Sequence, residues 1–206
     1  EEVGEMNQFE SGLLRYINAA DLSKIQKIKI GIAGVGGLGS NCAMLLVRSG
    51  FRNFELADFD DVDDSNLNRQ FYFYHQTGQS KLEALSINLA LINPTVKIEM
   101  HKGKLDRSVL EGLFSGCDVV VEALDRAEEK KLVVEQFLHS GKLLVAASGL
   151  AGYGNSDRIT THKIKENFFI VGDLVTGISP ETPPLAPCVT IAAAKQADII
   201  LSYVLK

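Results

Sequence analysis

The chain has 206 residues, 46% of them apolar and 23% charged, close to the globular average of about 45–50% and 25%. That length suits one large folded unit with its own core and excludes a small disulfide-stapled scaffold. The 21 basic and 26 acidic residues leave a formal charge of −5 without any Lys/Arg block, which excludes a broad electrostatic footprint for nucleic acid or anionic lipid.

Phe9, Leu13, Leu14 and Ile17 recur at helical spacing and predict an amphipathic helix over 8–20, within an N-terminal helical segment of 8–26. The period then changes. Ile28, Ile30 and Ile32 alternate within 27–33 and run into Gly34-Val35-Gly36-Gly37-Leu38-Gly39, a strand followed by a glycine turn. A helix over about 37–49 follows, with Gly50 where a helix takes a left-handed cap. Phe54 to Asp58 reads as a second strand, which completes a β-α-β unit ending in a carboxylate. Further on, 78–92 reads as a helix stopped before Pro94, 96–100 as a strand, 118–122 as a buried strand, 126–139 as a helix and 142–147 as a strand. This alternation predicts a Rossmann-like, doubly wound, mostly parallel α/β sheet over 27–149. Residues 150–206 change texture. A hairpin over Thr160–Ile164 and Asn167–Val171 predicts an antiparallel extension, Gly172 to Pro187 a long exposed loop, and Pro187 or Cys188 to Val204 a closing helix.

Cys42, Cys117 and Cys188 stand 75 and 71 residues apart, without the close spacing of a zinc site or redox pair. A reducing cytoplasm is the expected setting. Consecutive apolar runs such as Val119-Val120-Val121 and Ile199-Ile200-Leu201 fall far short of the ~18–20 residues that span a bilayer, and the start Glu1–Glu5 does not resemble a signal peptide. The four histidines, His75, His101, His139 and His162, show no metal spacing.

The turn Gly34-x-Gly36-x-x-Gly39 is the dinucleotide-type fingerprint, in which backbone amides and a helix N-terminus approach phosphate or its sugar. A glycine turn needed only for helix-sheet packing is the competing account. Asp58 lies 19 residues past Gly39, where a carboxylate accepts bonds from ribose hydroxyls. In Asp58 to Gln70, a short helical turn starting near Asp63 or Ser65 would put Asn66 and Arg69 on one face. Arg69, a planar fork, and Lys81, a point charge near the start of the next helix, suit the neighbouring phosphates of a triphosphate. For Asp61, Asp63 and Asp64 the alternative is a solvated acidic loop, and for Arg69 and Lys81 a surface salt bridge. Asp125 follows the strand at 118–122 at the carboxyl edge of the sheet. It can hold Mg²⁺ against phosphate oxygens, cap the helix from Arg126, or both.

Taken in order, Gly34-x-Gly36-Gly37-x-Gly39, Asp58-x-Asp60, Ser65-Asn66-Leu67-x-Arg69-Gln70, Gly78-x-x-Lys81, Asn93-Pro94 and Asp125 resemble the adenylation domain of the ubiquitin-activating-enzyme-like superfamily, whose bacterial members include ThiF, MoeB and HesA. The resemblance runs from about residue 11 to the end, so that 1–206 reads as a single adenylation domain, most similar to the compact ThiF proteins of thiamine biosynthesis. It implies ATP-dependent activation of the C-terminal Gly-Gly carboxylate of a small ubiquitin-fold, ThiS-like sulfur carrier as acyl-adenylate, with release of pyrophosphate. By that correspondence Gly34, Gly36, Gly37, Gly39, Asp58 and Asp60 hold the nucleotide, Asn66, Arg69 and Lys81 face its phosphates, and Asp125 serves Mg²⁺. It also implies a homodimer, in which Arg15 matches an arginine that reaches the neighbouring subunit's ATP, and a crossover segment at 172–187. Two departures stand out. The chain lacks the paired Cys-x-x-Cys zinc motifs of many relatives, so no zinc is expected, and its crossover loop has no cysteine. Cys188 then has a packing role or, alternatively, a sulfur-handling one. A nicotinamide-dependent oxidoreductase fits the first 60 residues equally well but leaves Arg69, Lys81 and Asp125 unexplained; a noncatalytic scaffold on the same fold is the third reading.

Overall fold

The computed structural model describes residues 7–206; the Glu1–Glu5 run, and the signal-peptide reading attached to it, lie outside the described residues. The single helix expected at the start is two, α1 (Gln8–Leu13) and α2 (Ala19–Lys27). Asn18 causes the break. Its extended backbone and its side-chain acceptor, 2.9 Å from the Asp21 amide, restart the helix. Ile17, read as part of the first apolar stripe, reaches the core from the intervening turn.

The β-α-β unit follows as β1 (Lys29–Ala33), α3 (Gly37–Arg48) and β2 (Asn53–Asp58), with Gly50 closing α3 at a φ of 104°. Next come α4 (Lys81–Ala90), β3 (Lys97–Lys102), α5 (Arg107–Gly112), β4 (Val119–Glu122), α6 (Ala127–Phe137) and β5 (Leu143–Ala147). The chain ends with β6 (Thr160–Lys165), β7 (Phe168–Gly172) and α7 (Ala186–Leu205). Across the described residues the strands form one seven-stranded sheet in the order β3-β2-β1-β4-β5-β7-β6. Every neighbour pair is parallel except β6 with β7. The predicted hairpin is therefore only half an extension, because β7 continues the parallel sheet beside β5 and β6 alone runs against it.

Period-two alternation sends Ile30, Ile32, Val119, Val121 and Val145 into one core, beneath α3, α4 and α7. Ala33, Val120 and Leu144 enter a second core with Phe114, Val133 and Phe137. Both faces of the central strands are covered, as parallel sheets require. Helix α5 was not foreseen; it is a short helix started by Asp106, whose side chain accepts from the Val109 amide.

The expectation about apolar stretches needs correction. Helix α7 has an 18-residue window of mean hydropathy 1.4 and is, by length and composition, long and apolar enough to cross a membrane. Counting consecutive apolar residues missed it because Thr190, Lys195, Gln196 and Asp198 interrupt the run. In the fold it is a core helix. Cys188, Val189, Ala192, Ala193, Gln196, Ala197 and Ile200 are buried on it, and several of them pack in the core shared with α3 and β5.

Candidate nucleotide site

A cleft of about 500 Å³ opens at the carboxyl ends of β1, β2, β4 and β5, where open α/β sheets collect ligands. Gly34, Gly36, Gly37, Asp58, Asp60, Arg69, Lys81 and Asp125 all border it. Gly39 and Asn66 do not. Gly39 instead lets α3 approach the turn, since a Cβ there would lie 1.9 Å from the Gly34 carbonyl oxygen.

Asp58 is held rigidly. Its Oδ2 accepts from the Val35 amide at 2.7 Å, and its Oδ1 accepts from the Phe59 and Asp60 amides at 2.8 Å. By lone-pair count Oδ2 keeps one acceptor site for a further hydroxyl. Tyr72, buried beneath the turn, donates its hydroxyl to the Val35 carbonyl at 2.7 Å. Burial, aided by the Asp58 and Asp60 charges, pushes its phenol well above the ordinary range, so it remains a neutral donor. Tyr72→Phe is expected to cost about 1 kcal/mol, measured as a shift in the urea midpoint.

The short turn forms as 3₁₀ helix Asp64–Asn66, capped by Asp63, whose carboxylate accepts from the Ser65 amide at 2.9 Å. The Ser65 hydroxyl, which also donates to it, is the main reason its pKa is lowered. Asp63 is thus a cap rather than a merely solvated charge. Asn66 accepts from the Asp63 amide at 3.4 Å through Oδ1, completing the capping box, and does not itself line the cleft. Arg69 lines the cleft. Its Nη1 donates to the Ser65 carbonyl at 3.1 Å and to Asn68 Oδ1 at 2.7 Å.

Lys81 opens α4, is nearly buried, and pairs with Asp60 at 2.8 Å. Asp60 is half exposed, so the pair holds the ammonium aimed at the cleft while leaving its charge incompletely offset. Asp125 is exposed on the opposite wall. It does not cap α6, because Arg126 occupies that position and no side chain caps it; this removes the alternative role read from sequence. Among the described residues no group of three or more His, Cys, Asp or Glu side chains could hold a metal. One exposed carboxylate on a lining that also includes Arg69 and Lys81 fits Mg²⁺ that arrives with phosphate oxygens and keeps its waters.

Sequence reasoning missed two features. Glu122, buried at the end of β4, pairs with Lys130 at 2.9 Å, and burial raises its pKa despite that partner. Glu122 accepts from the Leu124 amide and Lys130 donates to the Leu124 carbonyl, both at 2.8 Å. Together they fix the turn that presents Asp125. An acid ending an apolar strand was the available signal. Gln70 lines the cleft with a buried Oε1 that has no partner among the described residues. Ser148 to Ala151, together with Val175 to Ile178 from the expected crossover segment 172–187, form a further wall of the cleft. The cysteines lie elsewhere. Cys42, Cys117 and Cys188 are all buried, and burial pushes the first two thiols up to about 12. Cys188, in the first turn of α7, is buried in the core, the packing position of the two weighed.

The sheet, its glycine turn and the carboxylate at the end of β2 define a Rossmann-like α/β domain with a cleft at the carboxyl ends of its strands. The ThiF family model matches residues 10–205, and the chain belongs to the ThiF family. It is 34% identical over 150 residues to SUMO-activating enzyme subunit 2 of Dictyostelium discoideum, covering 72% of this chain and 22% of that protein. It is 32% identical over 162 residues to the adenylyltransferase and sulfurtransferase MOCS3 of Drosophila grimshawi, covering 78% and 34%. The chain thus spans about a fifth to a third of these relatives' length. Among solved structures it resembles E. coli tRNA N6-threonylcarbamoyladenosine dehydratase, TcdA, in complex with AMP, with a TM-score of 0.85, 21% identity and coverage of 95% and 93%. E. coli MccB with ATP gives 0.74, 19%, 98% and 64%. At those identities the likeness concerns the fold.

Proposed function

We propose that this protein is an ATP-dependent adenylyltransferase that activates the C-terminal Gly-Gly carboxylate of a ThiS-like sulfur carrier in thiamine biosynthesis, acting as a homodimer. One observation carries this reading: the glycine turn, Asp58, Arg69, Lys81 and Asp125, spread over 92 residues of sequence, border a single cleft. The ATP bound by MccB, a structural neighbour, supports the nucleotide, and the adenylyltransferase name of MOCS3, a relative, supports the reaction class.

In the proposed reaction a carboxylate oxygen attacks the α-phosphorus of ATP, the α–β phosphoanhydride breaks, and pyrophosphate leaves with the electron pair. The carboxylate is already ionised, so no side chain need act as base. The work is alignment and neutralisation. Asp58 holds the ribose while Arg69 and Lys81 offset charge that builds on the departing phosphates. Asp125 would hold Mg²⁺, which when bound neutralises phosphate oxygens. Arg15, exposed in the turn between α1 and α2 and away from this chain's own cleft, is free to reach a neighbouring subunit.

The test is carrier-dependent ATP–pyrophosphate exchange, with thermal stabilisation by ATP·Mg²⁺ set against NAD(H). At saturating ATP, about a hundredfold above Kd, stabilisation of about 2.7 kcal/mol is expected. Stabilisation by NAD(H) alone would favour the oxidoreductase instead, and nucleotide binding without exchange on several Gly-Gly carriers would favour the scaffold.

A further inference from the structure

The two loops of the cleft wall at 148–151 and 175–178 are joined by backbone bonds from the Asp173 amide to the Gly149 carbonyl at 2.8 Å and from the Leu174 amide to the Ser148 carbonyl at 3.1 Å, and by one ion pair far from Asp58. Asp173, the residue after β7, accepts from the Val175 amide at 2.9 Å and the Thr176 amide at 2.8 Å on Oδ1. Its Oδ2 accepts from the Thr176 hydroxyl and from Nη1 of Arg158. Nη2 of Arg158 donates to the Ala151 carbonyl. Both cleft-lining loops, at Ala151 and at Val175–Ile178, are thus fastened to the same guanidinium-carboxylate pair. The pair is largely shielded, at 20% and 16% side-chain exposure, whereas Val175 and Ile178 are 86% and 70% exposed. Leu174 adopts a left-handed φ of 66° between them, a conformation a leucine keeps only when its neighbours hold it.

The sheet order sets the location. Asp58 ends β2 and Asp173 follows β7, four strand spacings apart, or about 19 Å. The loop from Asp173 then returns to Pro184, whose carbonyl accepts from Asn68 at 3.2 Å, beside Arg69. The segment therefore spans the phosphate end of the cleft and not its ribose end.

We propose that Arg158 and Asp173 form a clasp that sets Val175–Ile178 over the cleft, and that both are positioning residues for the incoming carboxylate tail rather than for ATP. This rests on the adenylation reading above. Without the clasp the loop keeps its backbone bonds to Ser148, Gly149 and Gly152 and its contact with Asn68, but Val175 and Thr176 lose the side-chain tie that holds them, so a tail passing beneath them is held less closely while the nucleotide contacts stay in place.

The experiment compares Asp173→Asn, Arg158→Met, the conservative Arg158→Lys and Thr176→Val, which keeps the ion pair should the others fold poorly. Amide hydrogen exchange over 174–178 is expected to accelerate at least about tenfold in the first two variants and less in the last two. In pyrophosphate exchange with a purified ThiS-like carrier, the KM for carrier should rise about tenfold, with kcat and the KM for ATP changed less than about threefold and Arg158→Lys partly restoring the wild-type value. Unaltered hydrogen exchange, or equal rises in both KM values, would overturn the clasp. If the wild-type protein exchanges no pyrophosphate with any carrier, the adenylation reading fails and the tail-positioning role falls with it, while the hydrogen-exchange arm still decides whether the clasp holds the loop.

Discussion

Asp125→Ala is expected to lower carrier-dependent pyrophosphate exchange by about a hundredfold to a thousandfold, the usual effect of removing one preorganised charge partner at a transition state. The side chain is exposed, caps no helix and lies across the cleft from Arg69 and Lys81. Its removal should therefore shift stability by no more than about 0.5 kcal/mol, so lost activity cannot be attributed to unfolding. Asp125→Asn keeps an oxygen ligand but loses the charge, and should demand more Mg²⁺ for half-maximal rate. The measurement is exchange rate against Mg²⁺ concentration, with a urea titration of each variant. Full activity in Asp125→Ala would show the metal assignment to be wrong. Since Glu122 and Lys130 hold the turn at Leu124, Asp125 is presented from a fixed backbone.

Gly39→Ala should be strongly destabilising. The added carbon would meet the Gly34 carbonyl oxygen at 1.9 Å and Ile32 Cγ2 at 3.1 Å. Neither can recede easily, because the Gly34 amide donates to the Ala57 carbonyl at 2.8 Å and Ile32 is fully buried. Helix α3 must lift off β1, at an expected cost of about 3 kcal/mol or more, the upper range of overpacking. The same shift spoils the amide cradle, so ATP affinity should fall with stability. Gly12→Ala is the control: nothing lies within 4 Å of the added carbon in helix α1, and a gain of about 0.5 kcal/mol is expected. Chemical denaturation of both variants, with and without ATP·Mg²⁺, checks the pair.

The parts of the site legible in the chain were those encoded by short-range pattern. Alternating Ile28, Ile30 and Ile32 before a glycine turn announce a strand feeding a helix, and Asp58 follows at the spacing that ribose recognition needs. Helix boundaries were less legible because caps act locally against periodicity. Asn18 divides a continuous apolar stripe into α1 and α2, and Asn66 closes a capping box with Asp63. Position marks Lys81, near the start of a helix, and Asp125, at the carboxyl edge of the sheet, and the family resemblance adds the roles it implies for them.

Local sequence was sufficient for the alternation of strands and helices, the glycine turn, and the identity of the charged groups, because each depends on neighbours within a few turns of chain. It could not say which charges meet. Lys81 finds Asp60, Lys130 finds Glu122, and Arg158 finds Asp173. The strand order β3-β2-β1-β4-β5-β7-β6 brings the ends of four strands to one edge and the loop after β7 back across them. That convergence is decided by how the sheet winds and by which faces of its helices are buried, a property of the packed whole that no stretch of residues carries.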